Sequence, residues 1–261
     1  MKFNGYYFKH ENENQTIAFI LGICNGEKFT QVVTDEKAYW FDGFGGCKFS
    51  EKGAIIDIGD IKGHINYGKL TPIKYDIMGP FKYFPMECRH GIISMRHALN
   101  GAVSIGGEVI DLDNGLGYIE KDSGVSFPKS YLWFQCSFAQ NCSVSLSMAD
   151  IPFYGFNFKG CICVVYYKGK EYRMATYLGV RILFCNSEKV LLKQGKYVLA
   201  VNVYPRKGHD LPAPQNGIMS RIITECLACP ARVRFYVKDR LLFDLRSDRA
   251  SFEVSAGSLI T

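Results

Sequence analysis

The segment from Tyr118 to Asp122 holds the side chains best suited to acid–base chemistry. Side chains alternate between two faces in a strand, so Tyr118, Glu120 and Asp122 should project to the same side. Two neighbouring carboxylates that are partly removed from water cannot both ionise without a large free-energy cost, and one should keep its proton at neutral pH. Such an acid can protonate a substrate. The alternative is a solvated edge strand whose acids face water or pair with basic side chains.

The next strand along the chain could form the wall of a binding cavity. Tyr131, Trp133 and Gln135 occupy alternate positions and therefore share one face. Aromatic rings with a few polar groups are typical of pockets for lipophilic ligands, and we predict that these three side chains bind substrate. The alternative is an ordinary core tryptophan whose indole N–H is bonded to a carbonyl.

A third segment, Asp76–Leu99, concentrates basic side chains among apolar ones. On a regular strand His90 and His97 would face opposite sides, so both could line one pocket only if a β-bulge, for example at Gly91, intervened. We predict that His90 acts in catalysis and that Arg89 and His97 bind substrate. Because no His-x-His or His-x3-His pair occurs, no metal site is predicted.

The dominant hydrophobic period is two residues, which indicates strands rather than helices. Turn dipeptides recur between apolar runs, as they do in β-hairpins: Asn100–Gly101, Gly106–Gly107, Asn114–Gly115 and Lys168–Gly169. The pattern predicts an all-β antiparallel protein of about 16 or more strands. So many strands must close into barrels or split into packed sheets, and a β-sandwich and two small barrels both satisfy the pattern.

The Gly/Pro/Ser-rich stretch Ser123–Lys129 lies near the midpoint and predicts a boundary between two domains, residues 1–125 and 126–261. Each half has the length of a small barrel, and no internal repeat is visible. The proline-rich segment Pro205–Gly217 is predicted to be a loop, and long loops in compact β folds often carry function. Asn216 in this segment is predicted to contact substrate.

Composition narrows the classes of function. The 261 residues are 48% hydrophobic, which excludes a disordered chain, and no window approaches the ~18 apolar residues of a membrane span. Basic and acidic residues are intermixed at a net charge of +6, so no nucleic-acid partner is predicted. The N-terminus lacks the apolar stretch of a secretory signal, which leads us to expect a cytoplasmic protein.

Ten cysteines could suggest a disulfide scaffold, but most lie in apolar runs of a long chain. We therefore expect buried thiols in a reducing compartment. Cys226-Leu-Ala-Cys229 is the sole CxxC sequence. Together with Cys161 and Cys163 it could form a four-thiolate zinc site, although the spacing matches no usual zinc finger. Buried thiols are the preferred interpretation.

At these segments the chain resembles the tocopherol cyclase family. The similarity is carried by ordered motifs along almost the whole chain: Gly5–Lys9 (GYYFK), Ala18–Gly22 (AFILG), Asp76–Phe81 (DIMGPF), Met86–His97 (MECRHGIISMRH), Gly117–Asp122 (GYIEKD) with Gly124, Ser126–Lys129 (SFPK) with Trp133, and Leu211–Arg221 (LPAPQNGIMSR). This family is distantly similar to carotenoid hydratases built from two lipocalin-like domains. The resemblance therefore implies two packed lipocalin-like antiparallel β-barrel domains in preference to a sandwich.

The resemblance also implies a reaction. Members of the family close a ring by adding a phenol oxygen across a double bond of a prenyl chain, without a cofactor. In the related hydratases an acid within a Tyr-x-Asp motif is the suspected proton donor, and that motif matches Tyr118-Ile119-Glu120 here. We therefore expect Glu120 to protonate the alkene, Tyr118 to hold the acid, Trp133 to stabilise the cation, and His90 to accept the phenol proton.

Two positions depart from the family pattern: Ser123 stands where members carry Trp, and Leu21 stands in place of Pro. The leading prediction is a cofactor-independent cyclase for a prenylated or other lipophilic small molecule. The alternatives are a non-catalytic carrier of lipophilic ligands and a hydratase of an isoprenoid. A substrate of this kind would favour transient contact with membranes, and the sequence does not fix the oligomeric state.

Overall fold

The computed structural model describes residues 2–153 and 155–255, which form two antiparallel sheets and two short 3-10 helices. The all-β prediction is confirmed. In the first sheet the strand order is β4-β3-β2-β1-β10-β8-β7-β6-β5, and β9 pairs with β8. Its strands are β1 (Phe3–Glu11), β2 (Thr16–Cys24), β3 (Glu27–Thr34), β4 (Ala38–Asp42), β5 (Lys48–Ser50), β6 (Gly53–Ile58), β7 (Ile61–Tyr67), β8 (Cys88–Ile105), β9 (Glu108–Asp111) and β10 (Gly115–Gly124).

The second sheet has the order β14-β13-β12-β11-β20-β19-β17-β16-β15, and β18 pairs with β19. Its strands are β11 (Tyr131–Phe138), β12 (Cys142–Phe153), β13 (Phe156–Tyr167), β14 (Lys170–Ala175), β15 (Arg181–Cys185), β16 (Lys189–Gln194), β17 (Tyr197–Val203), β18 (His209–Gln215), β19 (Ile218–Val237) and β20 (Arg240–Ser255). The short helices are η1 (Gly79–Tyr83) and η2 (Thr176–Leu178). The two sheets repeat one topology, in which the last strand lies beside the first, although the sequence shows no repeat.

The first sheet curls around an apolar core. The ring of Phe49, on the edge strand β5, lies 4.3 Å from the ring of Phe8 on β1 and 5.5 Å from that of Phe19 on β2. The edge strand β5 therefore contacts strands from the other half of the sheet on its concave side. The core that they enclose includes Ile119 of β10, so this side of the sheet is apolar at the strand that carries the predicted acids.

The second sheet surrounds an aromatic core of its own. The ring of Phe235 on β19 lies 5.1 Å from Tyr172, 5.9 Å from Tyr197 and 5.8 Å from Phe243. These rings come from β14, β17, β19 and β20. Phe235 therefore packs against aromatic residues from three other strands of the sheet. Burial of such rings is a dominant source of stability in a small β domain.

Two local predictions were wrong. Asn100–Gly101 lies inside β8 and makes no turn. Gly101 has φ of +138°, and a Cβ there would lie 2.1 Å from the carbonyl oxygen of His64, so the glycine permits close approach to β7. The proline-rich segment is not a continuous loop either, because His209–Gln215 forms β18. The turns predicted at Gly106–Gly107 and Lys168–Gly169 are confirmed by their left-handed backbone angles.

By internal contacts, the chain divides into two compact units. The first runs from the N-terminus to Asp76 and also takes Glu87–Ser126 and Leu211–Arg221. The second takes Ile77–Met86, Phe127–Asp210 and the chain from Ile222 onward. Strands β1–β10 precede the predicted domain boundary and β11–β20 follow it. None of the helices described is long and apolar enough to cross a membrane.

Candidate active site

The pairing of β8 with β10 places His90 directly opposite Asp122. Glu120 lies two residues away on β10 and faces the same side of the sheet, as does Tyr118. The shared face predicted for these three residues of β10 is therefore present, and His90 joins it from the neighbouring strand. We call Tyr118, Glu120, Asp122 and His90 the His90 cluster. All four residues belong to the first unit.

Hydrogen bonds connect the members of the His90 cluster. The hydroxyl of Tyr118 donates to Oε2 of Glu120 over 2.5 Å, and Nδ1 of His90 lies 2.9 Å from Oδ1 of Asp122. Nε2 of His90 lies 3.6 Å from the same Oε2 of Glu120. The side chains of His90 and Glu120 are only 11% and 6% exposed, while that of Asp122 is 22% exposed. The cluster is thus largely shielded from water.

The two carboxylates control the charge of His90. Burial alone would lower the pKa of this imidazole, but the charges of Glu120 and Asp122, with a smaller contribution from Asp76, raise it from 6.5 to about 9. The ring is therefore an imidazolium at neutral pH. Its Nε2 is buried without a hydrogen-bond partner, so this N–H is available to a nearby acceptor. One proton of the cluster therefore lies on Nε2 of His90, 3.6 Å from Oε2 of Glu120.

Cys88 is a neighbour of the cluster that the sequence did not reveal. Its Sγ lies 3.9 Å from Oδ1 of Asp122. Burial, followed by the charges of Asp122 and Glu120, raises the pKa of Cys88 well above its usual range, so the thiol stays protonated. The signal that could have identified Cys88 is its spacing from His90, since residues two apart on a strand share a face.

A buried ion pair lies beside the cluster on β1 and was also missed. Nζ of Lys9 lies 2.8 Å from Oε2 of Glu11, and both side chains are almost fully buried. Lys9 is the cross-strand partner of Tyr118, and Tyr7 is that of Glu120, so these side chains share the face of the cluster. Buried charges of this kind are costly unless they are paired, which marks this face as a polar site within a β domain.

Among the residues that the structure describes, His90, Glu120 and Asp122 are the one group whose donor atoms could hold a metal ion. One nitrogen and two carboxylate oxygens lie within 4.8 Å of one another, a set that suits a divalent transition metal. The cysteines proposed for zinc, Cys161 and Cys163 with the CxxC pair, form no such group within the described chain. All ten cysteines are thiols, and eight of them are buried.

His97 lies apart from the His90 cluster. It faces the apolar core with its ring 4.7 Å from that of Tyr67, whose hydroxyl bonds Nε2 of His10 over 2.7 Å. Oγ of Ser94 lies 3.1 Å from Nδ1 of His97. Two one-residue register shifts occur between Ile92 and His97, and each adds one residue on β8. Because together they amount to two residues, one full alternation, the two histidines stay on opposite faces. The pairing at Gly91 is regular, and these shifts do not bring both histidines into one pocket.

Arg89 and Asn216, both predicted to bind substrate, also lie outside the His90 cluster. Arg89 is exposed and alternates with His90 along β8, so it projects to the other face. Asn216 is exposed at the turn between β18 and β19, where its φ is +53°. Its backbone N–H donates to Oγ of Ser126 over 2.8 Å. Asparagine is favoured in left-handed turns, so this residue suits its place in the turn, and its contact with substrate stays a prediction.

The three predicted wall residues lie on β11, in the second unit. Every residue of this strand is buried. The hydroxyl of Tyr131 donates to Oε2 of Glu253 over 2.7 Å, and Nε2 of Gln135 donates to Oγ of Ser137 over 3.1 Å. Trp133 is the cross-strand partner of Glu253. These side chains do form one buried polar and aromatic row, and their contact with substrate stays a prediction.

Known proteins resemble this chain in fold. No family model and no curated protein sequence matches it. The structure is similar to that of kievitone hydratase from Nectria haematococca, with a TM-score of 0.56 and 11% identity over 98% of this chain and 89% of the other. It is equally similar to a protein from Nitrosomonas europaea that is provisionally described as AttH, with a TM-score of 0.56 and 9% identity over 100% and 93%. At such low identity the likeness establishes the fold, which comprises two lipocalin-like antiparallel β domains.

Proposed function

We propose that this protein hydrates a carbon–carbon double bond of a lipophilic, isoprenoid-like substrate. The observation that carries the proposal is the His90 cluster, in which a buried imidazolium lies between two carboxylates and one of these is held by a tyrosine. Such a cluster can deliver a proton and then accept one, as addition of water to an alkene requires. The fold similarity to a hydratase agrees with this reaction type.

The reaction begins with proton transfer within the cluster. Nε2 of His90 passes its proton to Oε2 of Glu120, 3.6 Å away, which creates a carboxylic acid beside a neutral imidazole. Glu120 then protonates one alkene carbon, and the other carbon becomes a cation. Water adds to the cation and loses a proton to His90, so the cluster returns to its starting state. The net change is the addition of one water to the double bond.

The neighbouring groups each support a step. The hydroxyl of Tyr118 fixes the orientation of Oε2 of Glu120. Asp122 holds Nδ1 of His90, which leaves Nε2 directed to the reacting carboxyl group. Once Glu120 has lost its proton to the alkene, two carboxylates face the developing cation. In a site shielded from water this charge pairing stabilises the transition state more strongly than it would in solution.

Ring closure is the second candidate, because Gly117–Asp122 and Met86–His97 resemble motifs of tocopherol cyclases. It uses the same proton transfer and differs only in the nucleophile, which is a hydroxyl of the substrate rather than water. A carrier would bind the same lipophilic molecules and leave them unchanged. The three functions therefore differ in the fate of one double bond.

The test is incubation of the purified protein with a hydroquinone that carries one prenyl chain, in deuterated water, followed by mass spectrometry. Hydration adds one water and places deuterium on carbon. Cyclisation gives an isomer with one carbon-bound deuterium and no added water. Recovery of unlabelled starting material from a complex with the protein would contradict both enzymatic functions and support the carrier.

The matched variants are Glu120→Gln and Glu171→Gln. Glu120→Gln removes the proton donor and should lower turnover about 100-fold or more while ligand affinity is retained. Glu171 is a similarly buried carboxylate that is bonded to Arg173 over 3.0 Å, so its replacement controls for placing an amide at a buried acid. Retention of most of the rate in Glu120→Gln would show that Glu120 is not the donor.

A further inference from the structure

The CxxC sequence lies on β19, where the strand contains a bulge. Cys226 pairs with Phe252 of β20 and Cys229 pairs with Ala250, so the two residues between the cysteines oppose a single residue, Ser251. On a regular strand, residues three apart face opposite sides. The extra residue in the bulge turns both cysteines to the same face.

The two thiols contact each other on this face. The S–H of Cys229 donates to the carbonyl oxygen of Ala250 over 3.2 Å. Cys229 is also within hydrogen-bonding reach of the sulfur of Cys226, to which its S–H can turn when that sulfur is a thiolate. The backbone N–H groups of Arg206 and Ala228 donate to the sulfur of Cys226, and the guanidinium of Arg206 adds positive charge. These groups suit a thiolate at Cys226.

The pKa of Cys226 is shifted in the opposite direction to the pKa values of six other cysteines. The hydrogen bond from Cys229 outweighs the opposing effect of burial, and with the contributions of Arg206 and Ala228 it lowers the pKa of Cys226 to about 7. Burial instead raises the pKa of six other thiols: Cys24, Cys47, Cys88, Cys161, Cys163 and Cys185. Because the thiolate is the reactive form, Cys226 should react first.

We propose that Cys226 and Cys229 are a redox-active dithiol that a hydroperoxide converts to a disulfide. The thiolate of Cys226 attacks one peroxide oxygen, which gives a sulfenic acid on Cys226 and releases hydroxide or an alcohol. The thiol of Cys229 then attacks the sulfenic sulfur, a disulfide forms, and water leaves. The two cysteines lose two electrons together and the peroxide gains them. A small peroxide suits a site in which Cys226 is 6% exposed.

Oxidation would also change the segment that contacts the thiolate. Arg206 lies between β17 and β18, in a stretch whose residues 204–207 are exposed. Its backbone N–H and its charge both interact with the sulfur of Cys226. A disulfide removes the negative charge and weakens the acceptor, so Arg206 loses these interactions. We expect the oxidised protein to be cleaved by trypsin after Arg206 or Lys207 several times faster than the reduced protein.

The experiment treats the purified, reduced protein with one equivalent of hydrogen peroxide and maps the products by peptide mass spectrometry. The expected product is a disulfide between Cys226 and Cys229 that forms before any other cysteine is oxidised and is reversed by dithiothreitol. In Cys229→Ser, dimedone should trap the sulfenic acid on Cys226, whereas Cys24→Ser should behave as the unchanged chain.

A second measurement needs no variant. Iodoacetamide at neutral pH should alkylate Cys226 at least ten times faster than Cys161 in the folded protein. The proposal is overturned if Cys226 and Cys229 stay reduced while other cysteines oxidise, or if Cys226 is alkylated no faster than Cys161. Both measurements use the unsubstituted protein, so they test the proposal even if a serine variant fails to fold.

Discussion

His90 and Asp122 face each other across the pair of strands β8 and β10, with Nδ1 2.9 Å from Oδ1. This contact fixes the imidazole ring and leaves its second nitrogen beside Glu120. A histidine held in this way at one nitrogen is oriented for proton transfer at the other. The relationship joins residues that are 32 positions apart in the chain, so the reactive geometry is a product of strand pairing.

The hydrogen bond between Tyr118 and Glu120 should contribute to turnover. Tyr118→Phe removes the hydroxyl and leaves the ring, which is almost completely buried. A hydrogen bond to a charged group contributes about 1.5–3 kcal/mol, so we expect turnover to fall roughly tenfold to a hundredfold. The measurement is kcat on the prenylated probe, with circular dichroism to check the fold. An unchanged kcat would show that Glu120 needs no support from Tyr118.

The raised pKa of His90 predicts a loss of stability in alkaline solution. A folded-state pKa of about 9 lies above the unfolded value of 6.5, so the stabilising effect is complete below pH 6.5 and is lost as the pH rises through 9. Between pH 7 and 9.5 the free energy of unfolding should fall by about 2 kcal/mol from this group. Urea denaturation at the two pH values measures the change.

Two variants separate the contribution of His90 to this pH dependence from the contributions of other groups that titrate near pH 9. His90→Gln should lack the His90 contribution and show a smaller decrease over the same interval. His64→Gln, at an exposed position on β7, should keep the decrease of the unchanged protein. Equal decreases in all three proteins would contradict the charge assigned to His90.

The lowered pKa values of the core histidines, His10 and His97, predict a loss of folding stability in acid. Burial, with repulsion from His97, lowers the pKa of His10 to about 3, and burial, with repulsion from Arg96, lowers that of His97 to about 4. Only the unfolded chain binds protons at these groups below pH 6.5, so stability falls as the pH drops from 6.5 through these values. Each histidine should lower the free energy of unfolding by about 2 kcal/mol when the pH falls from 7 to 5.

His97→Gln should remove one of these two contributions, so its free energy of unfolding should change less between pH 7 and 5 than that of the unchanged protein. Urea titrations at both pH values test this. His64→Gln again serves as the exposed control. If the pH dependence of His97→Gln equals that of the unchanged protein, His97 is not buried in its neutral form.

The sequence predicted those parts of the site that depend on a single strand. Alternation placed Tyr118, Glu120 and Asp122 on one face, because a side chain's direction within a strand is a local property. It could not show that β8 lies beside β10 or that two register shifts separate His90 from His97. Partnership between distant strands depends on long-range packing, which period-two alternation does not encode.

The same limit explains the buried ion pair on β1 and the turn predictions. Lys9 and Glu11 look like surface residues in sequence, and their burial depends on what covers the strand. Asn100–Gly101 carries the composition of a hairpin turn, yet β8 continues through it because β7 supplies a partner at Asn66 and Ile65. Local propensity is overridden where a neighbouring strand already satisfies the backbone.

The last prediction concerns the packing that fixes His97 in the core. A Cβ at Gly117 would lie 2.2 Å from Nε2 of His97 and 2.7 Å from its nearest ring carbon. The ring is buried against Tyr67 and cannot shift without disturbing the core. Gly117→Ala should therefore lower the free energy of unfolding by about 1–3 kcal/mol, the usual cost of overpacking.

Gly5→Ala is the matched control for this prediction. Gly5 lies on β1, beside β10, but a Cβ there would have its nearest neighbours at 3.8 and 4.0 Å, which are ordinary van der Waals contacts. Neither glycine is among those with positive φ, so both variants test space rather than backbone strain. Urea denaturation should show a clear loss for Gly117→Ala and little change for Gly5→Ala. Similar stabilities would mean that the His97 ring yields easily, and the core around His10 and Tyr67 would then be less closely packed than these distances indicate.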